Sequence, residues 1–170
     1  MRSWYVLVFN SRIMQWVEEE CARLGVEVYS PLLVTVKARS DRPSSRRDEK
    51  LLFPGYAFLR FDPEVINPSA VNAVSGVKGL LSFDGEPHMV SSTVIAGMKN
   101  ILLLRAQGGR LSDSEYRSLP PGLTKTFSLI IEMRREEHRR AALYAFLHEM
   151  ALKERRGVYS SDGDHSVQWL

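Results

Sequence analysis

Two periodicities divide this chain. Residues 4–9, Trp-Tyr-Val-Leu-Val-Phe, form an unbroken aromatic and branched run, the pattern of a central strand covered on both faces. Ser11 reads as a cap, and from Arg12 to Leu24 the apolar residues Ile13, Trp16, Val17, Cys21 and Leu24 recur at helical spacing until Gly25 stops them. The outward face of that helix carries Arg12, Gln15, Glu18, Glu19, Glu20 and Arg23. Residues 26–29 are too short to assign alone, whereas 31–36 are strand-like.

The most informative stretch is 51–61, Leu-Leu-Phe-Pro-Gly-Tyr-Ala-Phe-Leu-Arg-Phe. Pro54-Gly55 supplies a fixed φ followed by a permissive residue, so the chain turns sharply into a strand. Tyr56, Phe58 and Arg60 then share one face and Ala57, Leu59 and Phe61 the other. One face can fill a core while the other offers aromatics to a partner. Asp62-Pro63 closes the strand, residues 69–74 predict a short helix ended by Gly76, and 77–83 predict a strand with a turn at Asp84-Gly85. Ser91-Ser92 caps a further helix over 93–104. Strands and helices in this order predict an α+β fold on a mainly antiparallel sheet.

Residues 105–112, with Gln107-Gly108-Gly109, read as a linker between a domain at 1–104 and a smaller one at 113–160, followed by a polar tail at 161–170. Two readings fit the smaller domain. Leu143, Phe146, Leu147 and Met150 make a helical stripe within a helix over 128–156, joined to a shorter helix near 112–119. Alternatively, 127–133 and 140–147 are strands of a small barrel with 134–138 as the turn. The helical hairpin is the expected state of the isolated chain.

Composition narrows the function more than it names it. Of the 170 residues, 44% are hydrophobic and 25% charged, an ordinary balance for a water-exposed globular chain. The apolar runs fall far short of the roughly 20 residues of a membrane helix, no leader opens the chain, and Cys21 is the only cysteine, so a cytoplasmic protein with no membrane association is expected. The formal charge is +3, and residues 37–50 alone hold six basic and three acidic side chains, which suits a solvated, mobile hairpin tip or a contact with phosphates.

No catalytic constellation stands out. Gly108-Gly109 lacks the lysine and threonine of a phosphate loop, and glutamates beside Cys21 raise its thiol pKa. Asp162-Gly-Asp164-His165 lies in the polar tail, where such residues are commonly a solvated end. A binding protein without cofactor or metal is expected.

Ser3-Trp4-Tyr5, Leu52-Phe53-Pro54-Gly55-Tyr56, Asp62-Pro63-Glu64-Val65-Ile66, Asn72-Ala73, Gly76-Val77, Phe83, Pro87 and Val94-Ile95 occur in an order that resembles the N-terminal (NGN) domain of the NusG family of transcription elongation factors. Among its members the specialised RfaH-like paralogues look most similar. The resemblance covers about the first hundred residues. Beyond it the glycine-marked KOW motif of the family's C-terminal barrel is degenerate: Pro121-Gly122 is kept, but no further glycine follows until Gly157.

What the resemblance implies is antitermination by binding. An apolar patch of Val8, Phe53, Tyr56, Phe58, Phe83 and Ile95 would grip the clamp helices of the large catalytic subunit of RNA polymerase, with Asn67, Pro68 and Ser69 touching the opposite jaw. Arg12, Gln15, Arg23 and Ser75 would contact exposed non-template DNA, although Glu18, Glu19 and Glu20 oppose a phosphate track. Leu143, Phe146, Leu147 and Met150 would cover the polymerase patch, and a barrel-shaped C-terminal domain would instead reach a ribosomal protein. A monomer is expected, since the apolar patch already has these partners. The alternative is a module that stacks single-stranded nucleic acid on the sheet aromatics and the basic hairpin, independent of polymerase.

Overall fold

The computed structural model describes residues 1–38, 45–107 and 121–155. The fold is α+β, and its centre is β1 (Ser3–Phe9), the run of largest strand propensity. One edge of β1 pairs with β5 (Tyr56–Phe61), which in turn pairs with β2 (Glu27–Tyr29); the other edge pairs with β6 (Val77–Leu80) and, through Trp4 and Tyr5, with β9 (Met89–Val90). All these pairings are antiparallel. The register sets Val6 opposite Phe58 and Val8 opposite Tyr56.

Alternation along β1 and β5 makes two cores. Tyr5, Leu7, Phe9, Ala57, Leu59 and Phe61 pack on one side, with Val17 and Cys21 of α1 (Met14–Arg23) and Val71 of α2 (Pro68–Asn72). Trp4, Val6 and Phe58 pack on the other, beneath α3 (Ser92–Ala106), α4 (Pro121–Glu132) and α5 (Glu136–Arg155). The sheet is therefore covered on both faces.

Several expectations are corrected. The first helix starts after a one-turn 3-10 segment, Ser11–Ile13, and the cap is Asn10, whose side chain accepts from the Arg12 N–H at 3.2 Å, rather than Ser11. A 3-10 turn advances the chain by a different angle from an α-turn, which shifts the phase of the helix after it. Val17 and Cys21 face the sheet, and Trp16, expected inside, is 46% exposed. The second helix is also earlier and shorter than expected, because Asn67 caps it by accepting from the Ser69 N–H at 2.9 Å.

The basic stretch at 37–50 is largely strand rather than loop. β3 (Leu32–Ala38) and β4 (Ser45–Leu51) pair from Leu32 with Leu51 to Ala38 with Ser45, and Arg39, Asp41 and Arg42 lie outside the described residues. A two-stranded ribbon closes its ladder through the backbone and leaves much of its side-chain surface wet, so it shows little apolar alternation. The strand expected over 77–83 is likewise two strands: Leu81 separates β6 from β7 (Ser82–Phe83), which turns back into β8 (Glu86–Pro87).

The C-terminal segment is a helical hairpin. Residues 127–132 and 140–147, strands in the barrel reading, are helical. The single helix expected over 128–156 is two helices with a turn at 133–135, because Leu123, Phe127, Ile130 and Ile131 of α4 and Leu143, Phe146, Leu147 and Met150 of α5 must reach the same core. The expected helix near 112–119, most of the linker and the tail with Asp162, Asp164 and His165 lie outside the described residues.

Candidate functional site

The sheet face under the hairpin gathers one sequence-derived set. Phe53, Phe58, Phe83 and Ile95 belong to a single apolar cluster, with Val8 and Tyr56 half-buried against it. Phe53 enters from the turn after β4, where the Tyr56 N–H bonds the Phe53 carbonyl at 3.0 Å and the Gly55 carbonyl accepts from the Phe9 N–H at 3.0 Å. Gly55 has φ 86°, and a Cβ there would lie 3.1 Å from the Phe9 carbonyl oxygen, so the close turn needs glycine.

The same cluster contains Leu143, Phe146, Leu147 and Met150. Phe146 meets Phe127 edge to face at 5.5 Å, which locks the two hairpin helices together. Over Phe83 sit Tyr144 at 5.5 Å and His148 at 5.1 Å, both from α5. The apolar patch is thus covered by the hairpin, and Phe58 has no exposed surface.

Polar contacts fix the cover at the turn between α4 and α5. Arg139, buried at the start of α5, donates from Nε to the Leu52 carbonyl at 2.8 Å and from Nη1 to the Met133 carbonyl at 2.9 Å. Arg105 at the end of α3 pairs with Glu132 at the end of α4, at 2.7 Å. The second pair is exposed and adds little stability. Sequence reasoning missed Arg139, since nothing in the basic run from Arg134 to Arg140 distinguishes one buried guanidinium from its solvated neighbours.

The candidate DNA residues lie on the opposite side of the sheet. Arg12, Gln15 and Arg23 are exposed, but Gln15 donates to Glu19 at 3.1 Å and Arg23 is paired with Glu20. Ser75 is brought near the start of this helix: the Asn10 N–H bonds the Gly76 carbonyl at 2.9 Å, and Gly76 abuts Ile13. Trp16, read as core, stands exposed on α1 and adds an aromatic surface to this side. Asn67, Pro68 and Ser69 form the capped start of α2, with Asn67 and Ser69 exposed.

Burial pushes the Cys21 thiol up to about 11, helped by the charges of Glu20 and Glu18, so it is a poor nucleophile. Burial pushes the Tyr29 phenol up to about 12, and Lys99 Nζ lies over both the Tyr29 ring at 4.6 Å and the Trp4 ring at 5.2 Å. Among the described residues no group of three His, Cys, Asp or Glu is placed to hold a metal, and no helix is long and apolar enough to cross a membrane.

Comparison with known proteins gives two findings. The family model described as "Transcription termination factor nusG" matches residues 2–99, more than half of the chain. Among solved structures, "Domain interaction in Thermotoga maritima NusG" is similar at 23% identity and a TM-score of 0.38, over 64% of this chain and 58% of that one. The chain therefore spans less than two thirds of that relative's length.

Proposed function

The chain belongs to the NusG family of transcription factors, and on that premise we propose that it is an elongation factor of the specialised, RfaH-like kind that suppresses pausing or termination on selected operons. Its target is RNA polymerase, gripped at the clamp helices through Val8, Phe53, Tyr56, Phe58, Phe83 and Ile95. An aromatic surface on a rigid sheet suits a helical tip, and a few buried anchors can supply most of such an affinity. A second contact through Asn67, Pro68 and Ser69 bridges the main channel. Preferring one polymerase state over the paused one is all that antipausing requires.

The observation that carries this reading is the cover. α4 and α5 bury the same aromatic face with Leu143, Phe146, Leu147 and Met150, which supports an autoinhibited resting form. Non-template DNA is the partner proposed for Arg12, Gln15, Arg23 and Ser75, with Arg23 held in check by its ion pair to Glu20. The factor acts as a monomer, and chemistry stays with the polymerase. Coupling to a ribosomal protein through a barrel is left aside, because the C-terminal segments are helical.

The test is a pull-down of core RNA polymerase by the full chain and by Phe146→Asp, at low and high salt. The wild type is expected to bind weakly, and the variant tightly and with little salt dependence; adding Tyr56→Ala should weaken the variant again. Equal capture by both chains would remove autoinhibition. Capture by neither, together with salt-sensitive binding of single-stranded RNA that is lost in Arg47→Ala, would favour the nucleic-acid module instead.

A further inference from the structure

His88 is a buried imidazole with an unmet polar atom at the edge of the helical cover. It is 6% exposed, and its Nε2 makes no hydrogen bond among the described residues. Its position is fixed, since its backbone N–H bonds the Leu81 carbonyl at 2.9 Å and its ring meets Phe83 edge-on at 5.3 Å. The other face of Phe83's surroundings is α5, through Tyr144 and His148. Between them lies a cavity of about 330 Å³ walled by Phe83, Pro87 and His88 on the sheet side and by Ala151 and Glu154 on α5.

A neutral imidazole is tolerable in this place, whereas an imidazolium is a buried cation lacking a bonded acceptor. We propose that His88 is a proton-operated release for α5, which docks over the neutral ring and lifts when the ring is protonated. The inference concerns how the cover is held, and it stands whether or not the covered face binds polymerase.

The titratable groups around the ring decide the sign. Glu86 and Asp84 come from its own hairpin, while Tyr144, His148 and Glu154 come from α5; Lys153 is paired with Glu149 at 2.8 Å. Burial lowers the His88 pKa from its ordinary 6.5. The docked form therefore binds fewer protons than the lifted form, so docking is at full strength above 6.5 and is lost as the pH falls below it. Glu154 opposes this. Burial raises its carboxyl, so its charge disfavours docking as the pH rises through the carboxylate range. Glu154 acts through the carboxylate range, which lies below that of the imidazole, so His88 sets the direction near neutrality.

Amide hydrogen exchange of residues 136–155 in the full chain, corrected for intrinsic rates, tests this between about pH 7.5 and about pH 5.5. The opening equilibrium of α5 should rise by up to about tenfold per pH unit below the ordinary histidine pKa in the wild type, equally in His148→Gln, and at least as steeply in Glu154→Gln, where the opposing carboxyl is gone. His88→Gln should be flat. A wild type without slope, a slope that survives in His88→Gln, or a slope that vanishes in Glu154→Gln would each overturn the proposal. Should His88→Gln not fold, titration of the imidazole by NMR in the wild type replaces it: a His88 pKa at or above the ordinary value rejects the release.

Discussion

Arg139 Nε donates to the Leu52 carbonyl oxygen at 2.8 Å, across 87 positions of sequence, and so ties the base of the helical hairpin to the strand end that leads into Phe53. The same guanidinium also holds the Met133 carbonyl at 2.9 Å, in the turn between α4 and α5. One side chain therefore stabilises the hairpin turn and its seat together. Replacing it with Met keeps some of the stem packing but leaves these carbonyls without their donor. We expect Arg139→Met to destabilise the docked hairpin by about 2–4 kcal/mol, and Arg139→Lys by less, since an ammonium cannot present the planar fork. Exchange protection of α5 should fall in both while that of β1 changes little.

Phe127 is wholly buried and packs edge to face on Phe146, so it connects α4 to α5 as well as both to the sheet. Phe127→Ala removes a full ring from a packed core, and a loss of about 3–5 kcal/mol is expected. Phe127→Leu should cost distinctly less. Urea unfolding followed by far-ultraviolet circular dichroism checks the order, and a smaller loss for Ala than for Leu would contradict the packing described.

The central sheet was readable because its period-2 pattern and its burial agree: Trp4, Val6 and Phe58 face one core, and Tyr5, Leu7 and Leu59 the other. The second half was less so. Ala, Leu and Glu enrichment favours helix over 136–155, but no glycine or proline marks the turn at 133–135, which tertiary packing and Arg139 create. The paired ribbon at 45–51 was hidden for the opposite reason, as its Arg, Asp, Glu and Lys side chains carry no apolar signal while its backbone supplies the pairing. Trp16 was misplaced by one 3-10 turn, and His88 gave no signal at all, since a lone histidine between Pro87 and Met89 looks the same buried or exposed. The candidate polymerase residues came from family resemblance rather than from pattern; what the structure adds is that the hairpin covers them.

Cys21 should be inert in the folded chain. With its pKa at about 11, only about one thiol in a thousand is ionised near pH 8, and the residue has no exposed surface. Alkylation by iodoacetamide should be slow in buffer and rapid in denaturant. Because burial is the largest cause, Glu20→Gln should leave native labelling nearly unchanged. Substantial labelling of the native chain would show that the α1 core opens readily.

Gly76 holds the turn that carries Ser75 against the start of α1, and two separate constraints meet there. Its φ is 85°, a conformation that side-chain-bearing residues rarely adopt, and a Cβ built on it would collide with Ile13 Cδ1 and lie 3.0 Å from Ile13 Cγ1. Ile13 packs against the second core, so it must rotate out of place to make room. The backbone strain is expected to cost about 1–3 kcal/mol, with the displaced isoleucine adding about 1 kcal/mol more. A double-mutant cycle separates the two. Gly76→Ala made in an Ile13→Ala background should retain only the strain, because the obstructing atoms are gone, and the difference from Gly76→Ala alone is the steric part. Equal costs in both backgrounds would mean that the positive φ alone demands glycine, whereas a near-zero cost in the Ile13→Ala background would mean that the turn relaxes freely and the contact with Ile13 is what fixes Ser75.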